Sequence, residues 1–189
     1  MLGYGKSEEE INNIAKSSIS ISSGDLQFIN TLMIPKKYIA IVIGGEWSYR
    51  TYNNWTKLIE KLLLKDKSLN IILLGSDNAK ATEKQILNHF PDLNLLSYVA
   101  KLTFNQTSQI INMADFLFCC DGGLMHAANS FHTRNVSLFA RLKPEMQLTK
   151  ACKSFPLFDT DDVNNISVDE IMLTYLEAVS FSHNHLPSE

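Results

Sequence analysis

The sequence predicts an α/β fold: a Rossmann-like, doubly wound parallel sheet with helices on both faces. Short apolar runs alternate with amphipathic helical segments along most of the chain, which is the pattern of repeated βαβ units. The apolar runs show no polar alternation, as expected for strands that are buried on both faces. Because βαβ crossovers are right-handed, a doubly wound sheet is the simplest topology for this order of elements.

The elements follow in regular order from residue 38 onward. The first strand is the apolar run "YIAIVIGG", which ends in a glycine pair, and the second run also stops at glycine. The first helix of the alternation, "WTKLIEKLLLK", carries four apolar residues at helical spacing, and Pro91 ends the next helix. The predicted strands are 38–45, 69–76, 93–99, 115–120 and 135–140. The predicted helices of the alternation are 55–65, 78–90, 105–114, 122–131 and 168–181.

The two ends of the chain are expected to lie outside this alternation. Residues 7–17 predict a short helix with Ser7 as its N-cap, whereas the Ser-rich residues 18–37 are expected to be irregular. The sequence contains no internal repeat, so a second copy of the fold is not expected. The predicted parts are an N-terminal lead-in with a short helix over 1–37, an α/β domain over 38–181 and a polar tail over 182–189.

Composition indicates a globular protein without a general attraction for polyanions. Apolar residues make up 45% and charged residues 20% of the 189 residues, and the net charge is −3. We therefore expect no nucleic-acid partner, and any anion site must be local. We predict a cytoplasmic protein from three observations. The three cysteines lack the spacing of a disulfide framework, no apolar stretch approaches roughly 20 residues, and the N-terminus has no signal peptide.

The strongest candidate site is the junction "CCDGGLMH", where a buried strand leads into a helix. Gly122 and Gly123 leave main-chain N–H groups available at the positive end of that helix, which suits a phosphate. His126 lies one turn further on the same face, where it can donate to the same anion. Asp121 can cap the helix or accept a ligand hydroxyl. An ordinary strand–helix turn with a capping Asp and a core His explains the spacing equally well.

Loops after other strands carry weaker candidates, since ligands of open α/β sheets bind beyond the carboxyl ends of the strands. Arg50 can clamp a phosphate, Asp77 can accept ribose hydroxyls, and Lys101 can add positive charge. Each also has a plain structural role, as a solvated loop residue or, for Asp77, as a helix N-cap. Cys119 and Cys120 are expected to be inert buried thiols. No metal-site motif or GxGxxG fingerprint occurs in the sequence, so neither a metal nor a nicotinamide cofactor is expected.

The segment "ADFLFCCDGGLMHAANSFHTRNVSLFA" at 114–140 resembles the signature of glycosyltransferase family 9, the ADP-heptose:lipopolysaccharide heptosyltransferases. Three upstream segments support the resemblance: "IVIGGEWSYRTYNNWTKLIEKL", "IILLGSDNAKATEKQI" and "VAKLTFNQTSQIINMAD". Together they extend it over about residues 38 to 181. The chain departs from the family pattern at Gly122, where Ser or Thr is usual, and at Ala140, where Gly is usual.

The resemblance implies the C-terminal, donor-binding half of a two-domain GT-B glycosyltransferase. The donor-binding residues it implies are Arg50, Asp77, Lys101, Asp121, Gly122, Gly123 and His126. The segment from Asp121 to His126 would hold the diphosphate and sugar of a nucleotide sugar such as ADP-heptose, Arg50 would contact a phosphate, and Asp77 would bind the ribose. Transfer would be inverting and would use neither metal nor cofactor. The general base, and with it the catalytic residue, is expected outside this chain.

The implied partners follow from the same family. They are a nucleotide sugar, an acceptor-binding domain or partner chain, and a lipopolysaccharide-type acceptor at the membrane face, with peripheral attachment to the inner membrane through the partner. Two other functions fit the residues. One is a catalytically silent nucleotide-sugar-binding or interaction module that lacks the acceptor domain. The other is a different α/β enzyme, such as a phosphohydrolase that uses Asp121 and His126.

Overall fold

A six-stranded parallel sheet forms the centre of the protein. The computed structural model describes residues 18–93, 95–149 and 152–180. The strands are β1 Ile39–Val42, β2 Ile71–Leu74, β3 Leu96–Ser97, β4 Phe116–Cys120, β5 Asn135–Ala140 and β6 Ser154–Asp159. They lie in the order β3-β2-β1-β4-β5-β6, and each neighbouring pair is parallel. This order confirms the predicted doubly wound fold and its five strands, and it adds a sixth.

Helices cover both faces of the sheet. They are α1 Ser23–Asn30, α2 Trp55–Lys65, α3 Lys80–His89, α4 Phe104–Met113, α5 Gly123–Ser130 and α6 Val168–Ser180. Side chains of a strand alternate between faces. Ile39 and Ile41 of β1 accordingly join one core with α2, α3 and α6. Ala40 and Val42 join the other core with α1, α4 and α5. All four are buried, which explains the uninterrupted apolar run in the sequence.

The lead-in contains a helix where the sequence-based prediction is irregular chain. α1 begins after Ser22, whose Oγ accepts the N–H of Asp25 at 3.1 Å. Gln106 of α4 donates its side-chain amide to Asp25 at 3.1 Å, and Ile29 is buried in the core beneath α1 and α4. The prediction of irregular chain is therefore wrong over Ser23–Asn30, because a serine at a helix N-cap looks in isolation like a serine in a loop.

The sixth strand, β6, is absent from the sequence-based prediction. Proline cannot donate a hydrogen bond to a β ladder, so Pro156 argues against a strand at this place. β6 pairs with β5, with Ser137 opposite Pro156, and it is the edge strand of the sheet. One side of an edge strand needs no ladder partner, which makes the proline tolerable there.

The direction of winding reverses between β1 and β4. β1 pairs with β2 on one side and with β4 on the other. In such sheets the loops after the two central strands diverge and open a crevice at their carboxyl ends. The fold therefore brings the loop after β1, which carries Arg50, opposite the turn after β4, which carries Asp121.

Other expectations concern the ends of the chain and the membrane. The predicted helix over 7–17 and the polar tail over 182–189 lie outside the described residues. Across the three described ranges, no helix combines the length and the apolarity that crossing a bilayer requires.

Candidate functional site

A cleft of about 350 Å³ opens at the carboxyl ends of β1, β2 and β4. It lies at the switch point of the sheet, where open α/β folds bind their ligands. The lining residues are Val42, Gly44, Gly45, Glu46, Trp47, Arg50, Gly75, Ser76, Asn78, Leu102, Phe104, Thr107, Cys120, Asp121, Gly122, Gly123, Leu124 and Met125. Of the predicted site residues, Arg50, Asp121, Gly122 and Gly123 thus lie together in one cleft.

Arg50 and Asp121 meet inside the cleft. Arg50 Nη1 lies 3.3 Å from Asp121 Oδ2, and the Asp121 side chain is 3% exposed while that of Arg50 is 25% exposed. The contact is an ion pair without hydrogen-bond geometry. Arg50 Nε and Asp121 Oδ2 are both buried with no hydrogen-bond partner in the described part of the chain. Buried polar atoms of this kind are rare in folded proteins, and their presence in a cleft favours a site for a polar ligand.

The start of α5 faces the same cleft. Its N-cap is Gly122, in an extended conformation (φ 166°, ψ −177°), and no side-chain hydrogen bond caps it within the described ranges. The capping role considered for Asp121 is therefore wrong, since that carboxylate turns towards Arg50 instead. The first-turn N–H groups of α5 thus lack a side-chain cap, and the helix end carries partial positive charge. This geometry is suited to an anion.

The glycine pair after β1 is required by packing. A Cβ atom on Gly44 would lie 2.5 Å from Asn78 Oδ1, and one on Gly45 would lie 2.6 Å from both the Arg50 carbonyl oxygen and Thr51 Oγ1. Asn78 Nδ2 also donates to the Gly45 carbonyl at 2.8 Å, which joins the loops after β1 and β2. The glycines therefore allow the turn that carries Arg50 to fold back against the end of β1.

The segment after β6 supports the Arg50 turn, a 3-10 turn over Ser48–Arg50. Asn164 accepts the N–H of Asn53 at 2.8 Å and donates its side-chain amide to the Thr51 carbonyl at 2.9 Å. The carboxylate of Asp162 holds Asn164 by accepting its backbone N–H at 2.8 Å and its side-chain amide at 2.7 Å. The two contacts of Asn164 with the loop after β1 join residues more than a hundred positions apart, so no local sequence pattern predicts them.

Arg141 supports the same turn from the end of β5. Its guanidinium carbon lies 3.9 Å from the centre of the Tyr49 ring, and its Nε donates to the Asp161 carbonyl at 3.1 Å. Arg50 lies over the same ring at 5.5 Å. Arg141 also has a positive φ of 67°, a conformation that is uncommon for a residue with a side chain and that is enriched near functional sites.

Three predicted site residues lie outside the cleft lining. The Asp77 side chain is exposed and forms an ion pair with Lys80 at 2.5 Å. Lys101 is exposed, and its Nζ donates to the Ser97 carbonyl at 2.8 Å. His126 is exposed one turn into α5, so the alternative of a core histidine is wrong. These three side chains surround the strand ends but do not contribute to the cleft as it stands.

Other lining residues were missing from the prediction. Glu46 and Trp47 precede Arg50, Ser76 and Asn78 flank Asp77, and Leu102, Phe104 and Thr107 follow Lys101. All belong to loops after strands, or to the helix start that follows, and that position was the one signal available to find them. Which residue of a loop points inwards depends on the turn geometry, which the sequence pattern does not specify.

The cysteines behave as predicted. Cys119 and Cys120 are buried free thiols. Burial raises the pKa of Cys120 to about 12 and places the pKa of Cys119 well above its usual value. Both thiols therefore stay protonated at neutral pH and are poor nucleophiles. In the described ranges no group of three His, Cys, Asp or Glu side chains is arranged to hold a metal ion.

The sequence profile of glycosyltransferase family 9 (heptosyltransferase) matches residues 7–154. The match includes every loop that lines the cleft. The chain belongs to glycosyltransferase family 9. The family resemblance of the segment 114–140 is thereby confirmed. The support for the Arg50 turn from Asp162 and Asn164 comes from residues beyond the matched range.

Solved structures share the fold of this family 9 chain. The E. coli ADP-heptose lps heptosyltransferase II has a TM-score of 0.71 at 16% identity, covering 88% of this chain and 54% of that one. The glycosyl transferase family 9 protein of Veillonella parvula has a TM-score of 0.68 at 12% identity, and the match covers 86% of this chain and 53% of that one. E. coli heptosyltransferase WaaC with ADP has a TM-score of 0.59 at 14% identity, and the match covers 91% of this chain and 54% of that one. The chain thus spans about half the length of these relatives. A comparison with curated protein sequences gave no match.

Proposed function

We propose that this family 9 chain binds the diphosphate of a nucleotide sugar in the cleft and acts as the donor-binding half of a heptosyltransferase. The observation that carries the proposal is the convergence of Arg50 and the start of α5 on one cleft at the switch point. A guanidinium on one side and helix N–H groups on the other suit two linked phosphates. The Arg50 side chain lines the cleft and is 25% exposed, so a phosphate oxygen can reach it.

Inverting glycosyl transfer is the reaction that such a site would assist. An acceptor hydroxyl attacks the anomeric carbon, the bond to the diphosphate breaks, and the leaving diphosphate takes the electron pair while a base takes the hydroxyl proton. Arg50 and the N–H groups at Gly122 and Gly123 would stabilise the charge that develops on the diphosphate. A single donor contributes roughly 3–4 kcal/mol in comparable oxyanion sites. The general base would belong to the acceptor-binding half, outside this chain.

ADP-heptose is the donor that we propose. Two related proteins were solved with such ligands: E. coli heptosyltransferase WaaC with ADP-2-deoxy-2-fluoro heptose, and the heptosyltransferase TibC with ADP-D-beta-D-heptose. In this chain the Asp121 carboxylate, which lines the cleft, would accept a sugar hydroxyl. Asp77 would leave its ion pair with Lys80 and accept hydrogen bonds from the ribose hydroxyls. Lys101 would turn towards the phosphates. The acceptor would be of the lipopolysaccharide type, reached together with the partner half at the inner membrane.

Isothermal titration calorimetry with ADP, GDP and ADP-heptose tests the proposal. We expect saturable binding of ADP and ADP-heptose at a ratio of one ligand per chain, and weaker binding of GDP. The diphosphate should dominate, so AMP is expected to bind much more weakly than ADP. The absence of heat from ADP and ADP-heptose at millimolar concentration would reject the proposed site.

Adding EDTA is expected to leave the ADP affinity unchanged. Arg50 and the α5 N–H groups supply the positive charge that a divalent cation would otherwise supply. The measurement is the dissociation constant of ADP in buffer treated with chelator, compared with the value after magnesium is added back. A severalfold loss in EDTA that magnesium restores would contradict metal-independent binding.

Replacing His126 with alanine is expected to weaken ADP binding about threefold to tenfold. The imidazole is exposed, and a hydrogen bond exchanged with water has a net value of about 0.5–1.5 kcal/mol. The effect should be smaller than that of any substitution of Arg50. An ADP affinity identical to that of the wild type, with an unchanged melting temperature, would remove His126 from the donor site.

A silent binding module is the second candidate, and one observation favours it: the N-cap of α5 is Gly122, so the hydroxyl of the Ser or Thr that is usual there in the family is missing. A transfer assay with ADP-heptose, a lipopolysaccharide core acceptor and an added acceptor-binding half separates the two functions, since only a transferase half becomes active. The phosphohydrolase alternative is not favoured, because Asp121 forms an ion pair with Arg50.

A further inference from the structure

Trp47 is open to solvent in the cleft, at a place that the proposed diphosphate contacts do not use. Its side chain lines the cleft and is 55% exposed, whereas the other tryptophan, Trp55, is 1% exposed in the core. Phe104, which is 51% exposed, lines the cleft as well. Ligand pockets typically combine aromatic walls with a few polar groups, so the indole is placed where a ligand would cover it.

Hydrogen bonds hold the backbone of Trp47 in the turn, and its ring lies beside that of Tyr49. Its carbonyl accepts the N–H of Arg50 at 2.9 Å and the hydroxyl of Thr51 at 2.9 Å. Its ring stacks on Tyr49 with centroids 6.5 Å apart and planes at 23°, and the guanidinium of Arg141 holds Tyr49 from 3.9 Å. A side chain whose backbone is held and whose ring has an aromatic neighbour has less conformational freedom to lose on binding. The indole is therefore ready to act as a stacking surface.

The same short turn carries the indole and the guanidinium, since the Arg50 N–H closes a hydrogen-bonded turn on the Trp47 carbonyl. A ligand whose phosphate contacts Arg50 consequently brings its neighbouring group close to Trp47. The nearby acidic groups in the lining are Glu46 and Asp121, and Asp121 Oδ2 has no hydrogen-bond partner in the described ranges. Next to the Arg50 donor, the lining near the indole thus offers carboxylates that accept hydrogen bonds.

These surroundings suit a pyranose ring better than a nucleobase. A pyranose has an apolar C–H face that packs on an aromatic ring, and its hydroxyls donate to carboxylates. A purine would turn ring-nitrogen acceptors towards the same carboxylates. We propose that Trp47 is the platform on which the pyranose ring of the donor sugar stacks, with its hydroxyls directed to Glu46 and Asp121. This inference rests on the proposed nucleotide-sugar site.

The test compares ADP with ADP-heptose in variants of the complete chain. Trp47→Ala is expected to lower the affinity for ADP-heptose about fivefold to tenfold, as expected for one aromatic contact, and to leave that for ADP within twofold. Trp47→Phe should retain most of the ADP-heptose affinity. Leu64→Ala, at a position that is 80% exposed on α2 and outside the cleft lining, is the matched control and should change neither value.

Tryptophan fluorescence gives a second readout. Because Trp55 is buried, a change in emission that ADP-heptose produces and ADP does not would arise at Trp47, and Trp47→Phe should abolish it. Equal loss of ADP and ADP-heptose affinity in Trp47→Ala, or no loss of either, overturns the platform while the diphosphate site stands. A wild-type chain that binds neither ligand overturns the proposed function itself, and the platform with it.

Discussion

Replacing Arg50 with alanine is expected to weaken ADP binding roughly tenfold to hundredfold. Hydrogen bonds to charged groups contribute about 1.5–3 kcal/mol each, and the Arg50 side chain lines the cleft and is 25% exposed. The variant is also expected to melt at a lower temperature, because it leaves the buried Asp121 carboxylate without its cation. Calorimetric titration with ADP and a thermal melt of the ligand-free protein measure the two effects.

Two further variants separate charge from geometry at this pair. Arg50→Lys keeps the charge but loses the planar fork, so it should recover part of the ADP affinity. Asp121→Asn preserves the volume and removes the anion 3.3 Å from the guanidinium. ADP should then bind more tightly than to the wild type, whereas ADP-heptose should gain less because the acceptor for a sugar hydroxyl is weakened. Weaker ADP binding in Asp121→Asn, or unchanged binding in Arg50→Ala, would show that the guanidinium does not contact the diphosphate.

Gly45→Ala is expected to lower the free energy of unfolding by about 1–3 kcal/mol, the usual cost of overpacking a well-packed site. Its Cβ would lie 2.6 Å from the Arg50 carbonyl oxygen, and backbone cannot move aside as the end of a flexible side chain can. Relieving the clash displaces the turn that carries Arg50, so ADP affinity should fall as well. Urea denaturation and ADP titration of the same preparation measure both losses.

Gly122 provides the matched control for that substitution. Its backbone is extended, which any residue can adopt, and a Cβ atom there would meet nothing within 4 Å in the described protein. Gly122→Ala and Gly122→Ser should therefore retain the wild-type stability. The serine variant also tests whether a hydroxyl at the N-cap of α5, usual in the family, strengthens ADP binding. Equal destabilisation by Gly45→Ala and Gly122→Ala would contradict the packing argument for the Arg50 turn.

The support of the Arg50 turn shows how far the cleft depends on distant residues. Asn164 and Asp162 follow the edge strand β6, and Arg141 follows β5, yet all three hold the loop after β1. Pro156 makes a strand at β6 hard to predict from the sequence. Without β6, nothing in the sequence indicates that the segment carrying Asn164 lies near the site. A site at the carboxyl ends of parallel strands is thus assembled from loops whose separation in sequence is large.

The sequence by itself determined the α/β class, five strands in their order along the chain, and the family. Apolar periodicity and the Asp121–His126 segment are local patterns, so they can be recognised without the structure. The sequence also pointed to the strand ends as the place for a ligand. Only the tertiary structure decided that Arg50 pairs with Asp121, that Trp47 lines the cleft and that Asp77, Lys101 and His126 lie outside its lining. The physical reason is that a side chain's direction in a loop is set by long-range packing and hydrogen bonds, which no local spacing encodes.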